Sequence, residues 1–203
     1  MMHVPDWYTH SVSRETLETL SEYTALLKRW TGRINLISER TLDDIWGRHV
    51  WDCAQVFSPE AGKYVDFGSG AGLPGVVVAI LRKGAGIDCE CVLMESDQRK
   101  AVFLRACAQR LNLNIRIVTQ RIESARSERA ALLSARALAR LDKLLGLAKI
   151  HTLSSGTCFF LKGSSWREEI RAAEKKWRFS CDICSSKTNP ESAILKIRNI
   201  ERV

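Results

Sequence analysis

A glycine-rich turn set between an apolar strand and an apolar helix limits the fold of this chain more than any other feature. Tyr64-Val65-Asp66-Phe67 runs into Gly68-Ser69-Gly70-Ala71-Gly72-Leu73-Pro74-Gly75, and Val76-Val77-Val78-Ala79-Ile80-Leu81 follows. A turn of this kind lets a ligand press against bare backbone at the carboxyl end of a parallel strand, facing the positive end of the next helix. A Cβ would block either the turn or the ligand, which is why four glycines within eight residues point to binding.

The glycines fit two templates. Gly70-Ala71-Gly72-Leu73-Pro74-Gly75 satisfies the dinucleotide fingerprint G-x-G-x-x-G. Asp66-Phe67-Gly68-Ser69-Gly70-Ala71-Gly72 satisfies D-x-G-x-G-x-G, which resembles motif I of class I S-adenosylmethionine methyltransferases. In both families an acidic residue at the end of the next strand holds ribose hydroxyls. Glu95 is placed for that role, closing the alternating segment Ile87–Met94. The loop by itself leaves NAD and S-adenosylmethionine both open.

Around the loop, periodicity predicts an alternating architecture. A first helix begins after Ser13 and carries Leu17, Leu20, Tyr23, Leu27 and Trp30 at helical spacing. Thr41-Leu42-Asp43-Asp44 reads as the cap of a second helix bearing Ile45, Trp46, His49, Val50 and Phe57. These two helices form an N-terminal extension over residues 1–60. Strands are expected at 63–67, 87–95, 115–119, 131–135 and 157–161, with β segments at 179–184 and 193–198. The intervening helices are expected at 74–82, 97–112 (capped by Asp97), 122–130, through Leu141–Ala148, and at 165–177. The last two β segments are close in sequence, so at least one should be antiparallel. The pattern is a doubly wound α/β fold over residues 61–203, with the ligand at the carboxyl ends of the strands.

Composition narrows the class of partner. At 45% hydrophobic the chain can bury a full core. No apolar run reaches the roughly 20 residues of a membrane helix, and the start, with Pro5, Asp6 and His10, lacks a signal-peptide pattern. A cytoplasmic monomer with no membrane association is expected. The net charge of +8 favours a polyanionic partner. Seven cysteines without an export signal read as free thiols, and Cys181-Asp182-Ile183-Cys184 lacks the second pair that a zinc site needs, so no metal is expected.

An ordered series of motifs separates the two cofactors. It runs through Asn35-Leu36-Ile37-Ser38, Arg48-His49-Val50-Trp51-Asp52, the loop ending Gly72-Leu73-Pro74-Gly75, and Arg99-Lys100-Ala101-Val102-Phe103-Leu104-Arg105. It continues through Gln120-Arg121-Ile122-Glu123, Ser134-Ala135-Arg136-Ala137 and Leu161-Lys162-Gly163. Over roughly residues 15–198 this series closely resembles the RsmG family, formerly glucose-inhibited division protein B. Its members are bacterial methyltransferases that modify N7 of one guanine in 16S ribosomal RNA. The chain departs from the family pattern at Glu95, where aspartate is frequent, at Cys53, where serine is common, in lacking an aspartate at Ala130–Leu133, and in the widened Ser134–Ala137 segment.

The resemblance implies a class I methyltransferase fold, Rossmann-like, with a mostly parallel seven-stranded sheet and a small N-terminal helical extension. It implies S-adenosyl-L-methionine as cofactor, held by Gly68, Ser69, Gly70, Leu73, Glu95, Ile122, Glu123 and Arg136. Arg136 would reach either the cofactor or the target. The implied substrate is 16S rRNA, free or within the small subunit or an assembly intermediate, with Asn35, Arg48, His49, Arg99, Lys100 and Lys162 as RNA-facing candidates. His49 could stack on a base or be a satisfied, partly buried histidine. Guanine N7 needs no deprotonation, so no general base is expected. Two other readings remain: an NAD-dependent oxidoreductase, for which the chain lacks a Tyr-x-x-x-Lys set, and a noncatalytic RNA-binding or ribosome-assembly factor.

Overall fold

In a computed structural model, which describes residues 4–203, seven strands form one sheet. They are β1 (Tyr64–Phe67), β2 (Cys91–Met94), β3 (Ile115–Val118), β4 (Ala130–Arg136), β5 (Thr152–Lys162), β6 (Trp177–Ser185) and β7 (Ala193–Arg202). The order is β3-β2-β1-β4-β5-β7-β6, with β7 antiparallel to both neighbours and the others parallel to one another. The chain winds outward through β1, β2 and β3, then crosses back to β4. That reversal opens a crevice at the carboxyl ends of β1 and β4, where ligands bind in such sheets.

Helices cover both faces because the central strands are apolar on both. Tyr64, Leu93 and Leu132 point to one side, into a core shared with α1 (Arg14–Ile34), α3 (Gly75–Gly84) and α4 (Gln98–Arg110). Val65, Phe67, Val92, Met94 and Leu133 point to the other, against α5 (Leu141–His151) and α6 (Trp166–Glu174). This is the period-two alternation of strands, doubled by burial on both sides.

The N-terminal helix is part of the first core. Ser13 caps α1 by accepting from the Thr16 N–H, and Leu20, Tyr23 and Leu27 are wholly buried. Thr16 packs so close to Gly84 of α3 that a Cβ there would run into it. The helix ends at Asn35 in the left-handed region (φ 48), its N–H donating to the Thr31 carbonyl. Asparagine is among the few residues that tolerate this C-terminal conformation.

The second helix differs from expectation. In place of one regular helix there is a 3-10 turn at Glu39–Thr41, a π turn at Trp46–Trp51, and the short α2 (Asp52–Ala54). The side-chain cap comes from Asp44, whose Oδ1 accepts from the Gly47 N–H, while Thr41 is drawn away to Ser38 and His49. The wider π turn rotates His49, Val50 and Trp51 inward together, and all three are buried. Two other expectations shorten: β2 begins at Cys91, and the helix expected at 122–130 is one 3-10 turn, Ile122–Ser124. By contrast β5 and β7 run longer than their apolar centres, because pairing extends into polar residues.

Candidate functional site

Two clefts open at the carboxyl ends of the strands and meet at one residue, Ala137, which lines both. The first, of about 370 Å³, has Gly68, Gly70, Glu95, Lys100, Ile122, Glu123 and Leu138 in its wall. The second, of about 540 Å³, lies between the N-terminal helical segment and the loop joining β6 to β7, with Arg48, Asp52, Arg136, Lys162 and Thr188 in its wall.

The glycine turn divides its glycines between two tasks. Gly70 (φ +52) faces open space: a Cβ there would meet only the Gly68 carbonyl at 3.7 Å and Glu95 Oε2 at 4.0 Å. Gly72 and Gly75 face inward, where a Cβ would strike Val76 and Leu104, or Leu93 and Asp66. The pair that borders the cleft, Gly68 and Gly70, belongs to the D-x-G-x-G register. The later glycines of the dinucleotide register serve helix packing.

Glu95 is built into the turn. Its Oε2 accepts from the Gly70 N–H at 2.8 Å and its Oε1 from the Asp97 N–H at 2.7 Å. Asp97 in turn caps α4, accepting from the N–H groups of Arg99 and Lys100. Both Glu95 oxygens are thereby oriented before any ligand arrives. Beneath the turn, Asp66 is fully buried, and burial pushes its carboxyl up to about 6. It accepts from Ser134 Oγ at 2.6 Å and from the Gly75 N–H at 3.2 Å, at the first turn of α3. The Tyr23 hydroxyl donates to the Ala71 carbonyl at 2.7 Å, fixing the turn from α1.

The remaining cofactor candidates are distributed unevenly. Ser69 is buried below the loop and bonds the Asp66 carbonyl, and Leu73 is packed in the core. Ile122 is buried with its carbonyl held by His151, while Glu123 pairs with Lys143 at 3.0 Å on the cleft rim. Arg136 stands in the second cleft. Its guanidinium bonds the Arg48 carbonyl (3.0 Å), His49 Nδ1 (3.3 Å) and Cys53 Sγ (3.4 Å), with Asp52 Oδ2 at 3.4 Å.

Of the RNA-facing candidates, Arg48 and Lys162 line the second cleft and Lys100 the first. The Lys162 ammonium is nearly buried, held by Glu169 at 2.7 Å and the Ala139 carbonyl at 2.8 Å. His49 is buried behind Arg136, and burial, with the Arg136 and Arg48 charges added, holds its ring down to about 4. Asn35 and Arg99 are exposed outside both clefts, Arg99 turned toward Asp97 at 3.5 Å. Sequence reasoning missed Leu138, an apolar side chain 38% exposed that lies over Gly68. It also missed Asp52, Ser186 and Thr188, which join the second cleft's walls through Thr188 Oγ1 donating to Asp52 Oδ1 at 2.6 Å. Asp52 stood within a recognised motif; the serine and threonine gave only a turn signal.

Residues 16–193 match the family described as rRNA small subunit methyltransferase G. A ribosomal RNA small subunit methyltransferase G from Ruegeria sp. (strain TM1040) is 49% identical over 194 residues, covering 95% of each chain. One from Ruegeria pomeroyi is 43% identical over the full length of both. Among solved structures, a TehB-like SAM-dependent methyltransferase from Corynebacterium glutamicum superposes with a TM-score of 0.55 at 13% identity, over 91% of this chain and all of that one. The 16S rRNA methylase RmtB gives 0.56 at 13% identity, over 94% of this chain and 77% of that one. At such identities these two likenesses concern the fold.

Proposed function

The chain belongs to the rRNA small subunit methyltransferase G family, and on that premise we propose that it methylates N7 of a single guanine in 16S ribosomal RNA, using S-adenosylmethionine. The observation that carries this reading is the pair of clefts sharing Ala137. One cleft has the glycine backbone and the oriented carboxylate that a ribosylated cofactor needs. The other has a guanidinium and polar walls suited to a nucleotide.

The first cleft fits the cofactor on its own terms. The open space above Gly70 is a cradle that any side chain would fill, and Glu95 presents an aimed carboxylate to a ribose. Gly68, Gly70, Glu95 and the Ile122–Glu123 turn would hold the group, with Leu138 covering it. Bound there, S-adenosylmethionine supplies an activated methyl group.

The protein's own task is positioning and exclusion of water. Guanine N7 carries an in-plane lone pair, so no residue has to remove a proton from it. His49 is committed to Thr41 and Arg136, and Asp66 is sealed beneath the loop by Ser134 and Gly75. Arg136 would orient the nucleotide from the second cleft, and Leu138 would exclude water at the junction. In A-form RNA the N7 edge lies in a deep, narrow groove, so the target guanine should be unpaired or unstacked. Arg48 at the rim, with the net charge of +8, supports phosphate contact.

Mass-spectrometric mapping of 16S rRNA from cells with and without this gene tests the reading. A gene-dependent methyl group at N7 of one guanine is expected. A methyl group on an exocyclic nitrogen or a ribose oxygen would overturn the N7 assignment.

A further inference from the structure

We propose that His49 is a positioning residue for Arg136: its neutral ring, fixed in the Nε2–H tautomer by Thr41, presents an Nδ1 lone pair that aims the guanidinium across the second cleft. The inference rests on the reading that this cleft takes the target nucleotide.

Hydrogen-bond accounting sets the tautomer. The Thr41 hydroxyl has one proton and donates it to the Ser38 carbonyl at 2.7 Å. Toward His49 Nε2, 2.8 Å away, Thr41 Oγ1 can therefore only accept, and Nε2 carries the hydrogen. On the other side a guanidinium has donors only. Both Arg136 terminal nitrogens lie 3.3 Å from Nδ1, which must be the bare nitrogen. The two ends of the ring require the same tautomer. An imidazolium in this place would turn an N–H toward a cation.

The π turn gives the arrangement its purpose. The Asp52 N–H donates to the His49 carbonyl, leaving the Arg48 carbonyl to accept from Arg136 at 3.0 Å. Arg48, His49, Asp52 and Cys53 thus surround one guanidinium from a single irregular stretch, and π turns commonly serve such local placement. Arg136 itself sits at the carboxyl end of β4, beside Ala137 where the two clefts meet. His49, only 7% exposed, acts through Arg136 and is itself part of neither cleft's lining.

Two variants separate the two ring nitrogens. In His49→Asn the amide oxygen takes the place of Nδ1, keeping an acceptor for Arg136. In His49→Gln the amide takes the place of Nε2, keeping the Thr41 contact and losing the Arg136 one. His49→Asn is expected to keep kcat/KM for rRNA methylation within about threefold of the parent, and His49→Gln to lose about tenfold or more, as displaced orienting groups do. Both should bind S-adenosylmethionine within about twofold of the parent, a change of only some 0.4 kcal/mol. Nitrogen-15 NMR of the parent, assigned by the signal absent in His49→Asn, should show a neutral ring protonated at Nε2 at pH 7. Equal activity of the two variants, a better His49→Gln, or a ring protonated at Nδ1 would overturn the inference. Should a variant fail to fold, the nitrogen shifts of the parent decide, with Thr41→Val, which removes the Nε2 partner and so moves the His49 signals, giving the assignment. A parent protein that methylated no rRNA would overturn the proposed function instead, and the shifts alone would then decide the tautomer.

Discussion

The backbone N–H of Gly70 donates to Glu95 Oε2 across 2.8 Å, so the turn after β1 and the end of β2 form one hydrogen-bonded unit. The carboxylate is aimed by the same backbone that leaves room for the ligand. Replacing Glu95 with glutamine removes the charge and can set an NH2 group against the Gly70 or Asp97 N–H. Charge-assisted bonds of this kind contribute about 1.5–3 kcal/mol. Titration calorimetry of Glu95→Gln is expected to show S-adenosylmethionine affinity lower by about tenfold or more. Parent-like affinity would exclude Glu95 from the cofactor site.

Lys162 offers a different outcome from that of a surface lysine. Its ammonium is held by Glu169 and the Ala139 carbonyl, and Glu169 Oε2 also accepts from the Leu141 N–H that begins α5. Removing the lysine leaves a carboxylate buried without its partner, a change that costs about 3–5 kcal/mol in comparable sites. Lys162→Ala should therefore unfold at markedly lower denaturant concentration. A variant with parent stability and weakened RNA binding would show that the lysine serves phosphate instead.

Asp66 gives a pH signature with a definite sign. Its folded value, about 6, lies above the ordinary carboxylate value because burial disfavours the charge. The folded state then holds the proton more tightly than the unfolded state between the two values. This contribution to stability is fully present below about pH 4 and is lost as pH rises through about 6. Across that window Asp66→Asn should gain on the parent by up to about 3 kcal/mol, the free energy that separates proton affinities differing by roughly a hundredfold. Denaturant unfolding of both proteins between pH 4 and 7 checks this, and a constant difference would refute it.

Arg48 stands exposed on the rim of the second cleft. Arg48→Ala should weaken RNA binding and lower the slope of log affinity against log salt by about one, while leaving cofactor affinity alone. Filter binding at several salt concentrations measures it; an unchanged slope would remove Arg48 from phosphate contact.

The parts of the site that the sequence announced are those built from neighbours in the chain. Gly68, Gly70 and the cap at Asp97 each depend on backbone geometry within a few residues, and local pattern reports such geometry. Glu95 was visible because the sheet is parallel and strand ends align. What stayed hidden depends on partners distant in sequence. Nothing around Lys162 names Glu169 as its counter-ion, and nothing around Arg136 foretells that residues 48–53 will enclose it. The π turn was read as a regular helix because its apolar residues suit either period. Its departure goes with bonds made outside a helical ladder: Thr41 to the His49 ring, Asp44 to the Gly47 N–H, and Arg136 to the Arg48 carbonyl.

The bond from Tyr23 to the Ala71 carbonyl, together with the grip of residues 48–53 on Arg136, bears on modularity. A glycine turn and a parallel sheet look like a transplantable cassette to which a leading helical segment was merely added. Excising residues 1–60 would instead leave the Ala71 carbonyl without its donor, strip Arg136 of its anchors, and uncover the face of α3 that receives Thr16. The leading segment is better compared to the keystone of an arch: laid first along the chain, it is what the later pieces lean upon.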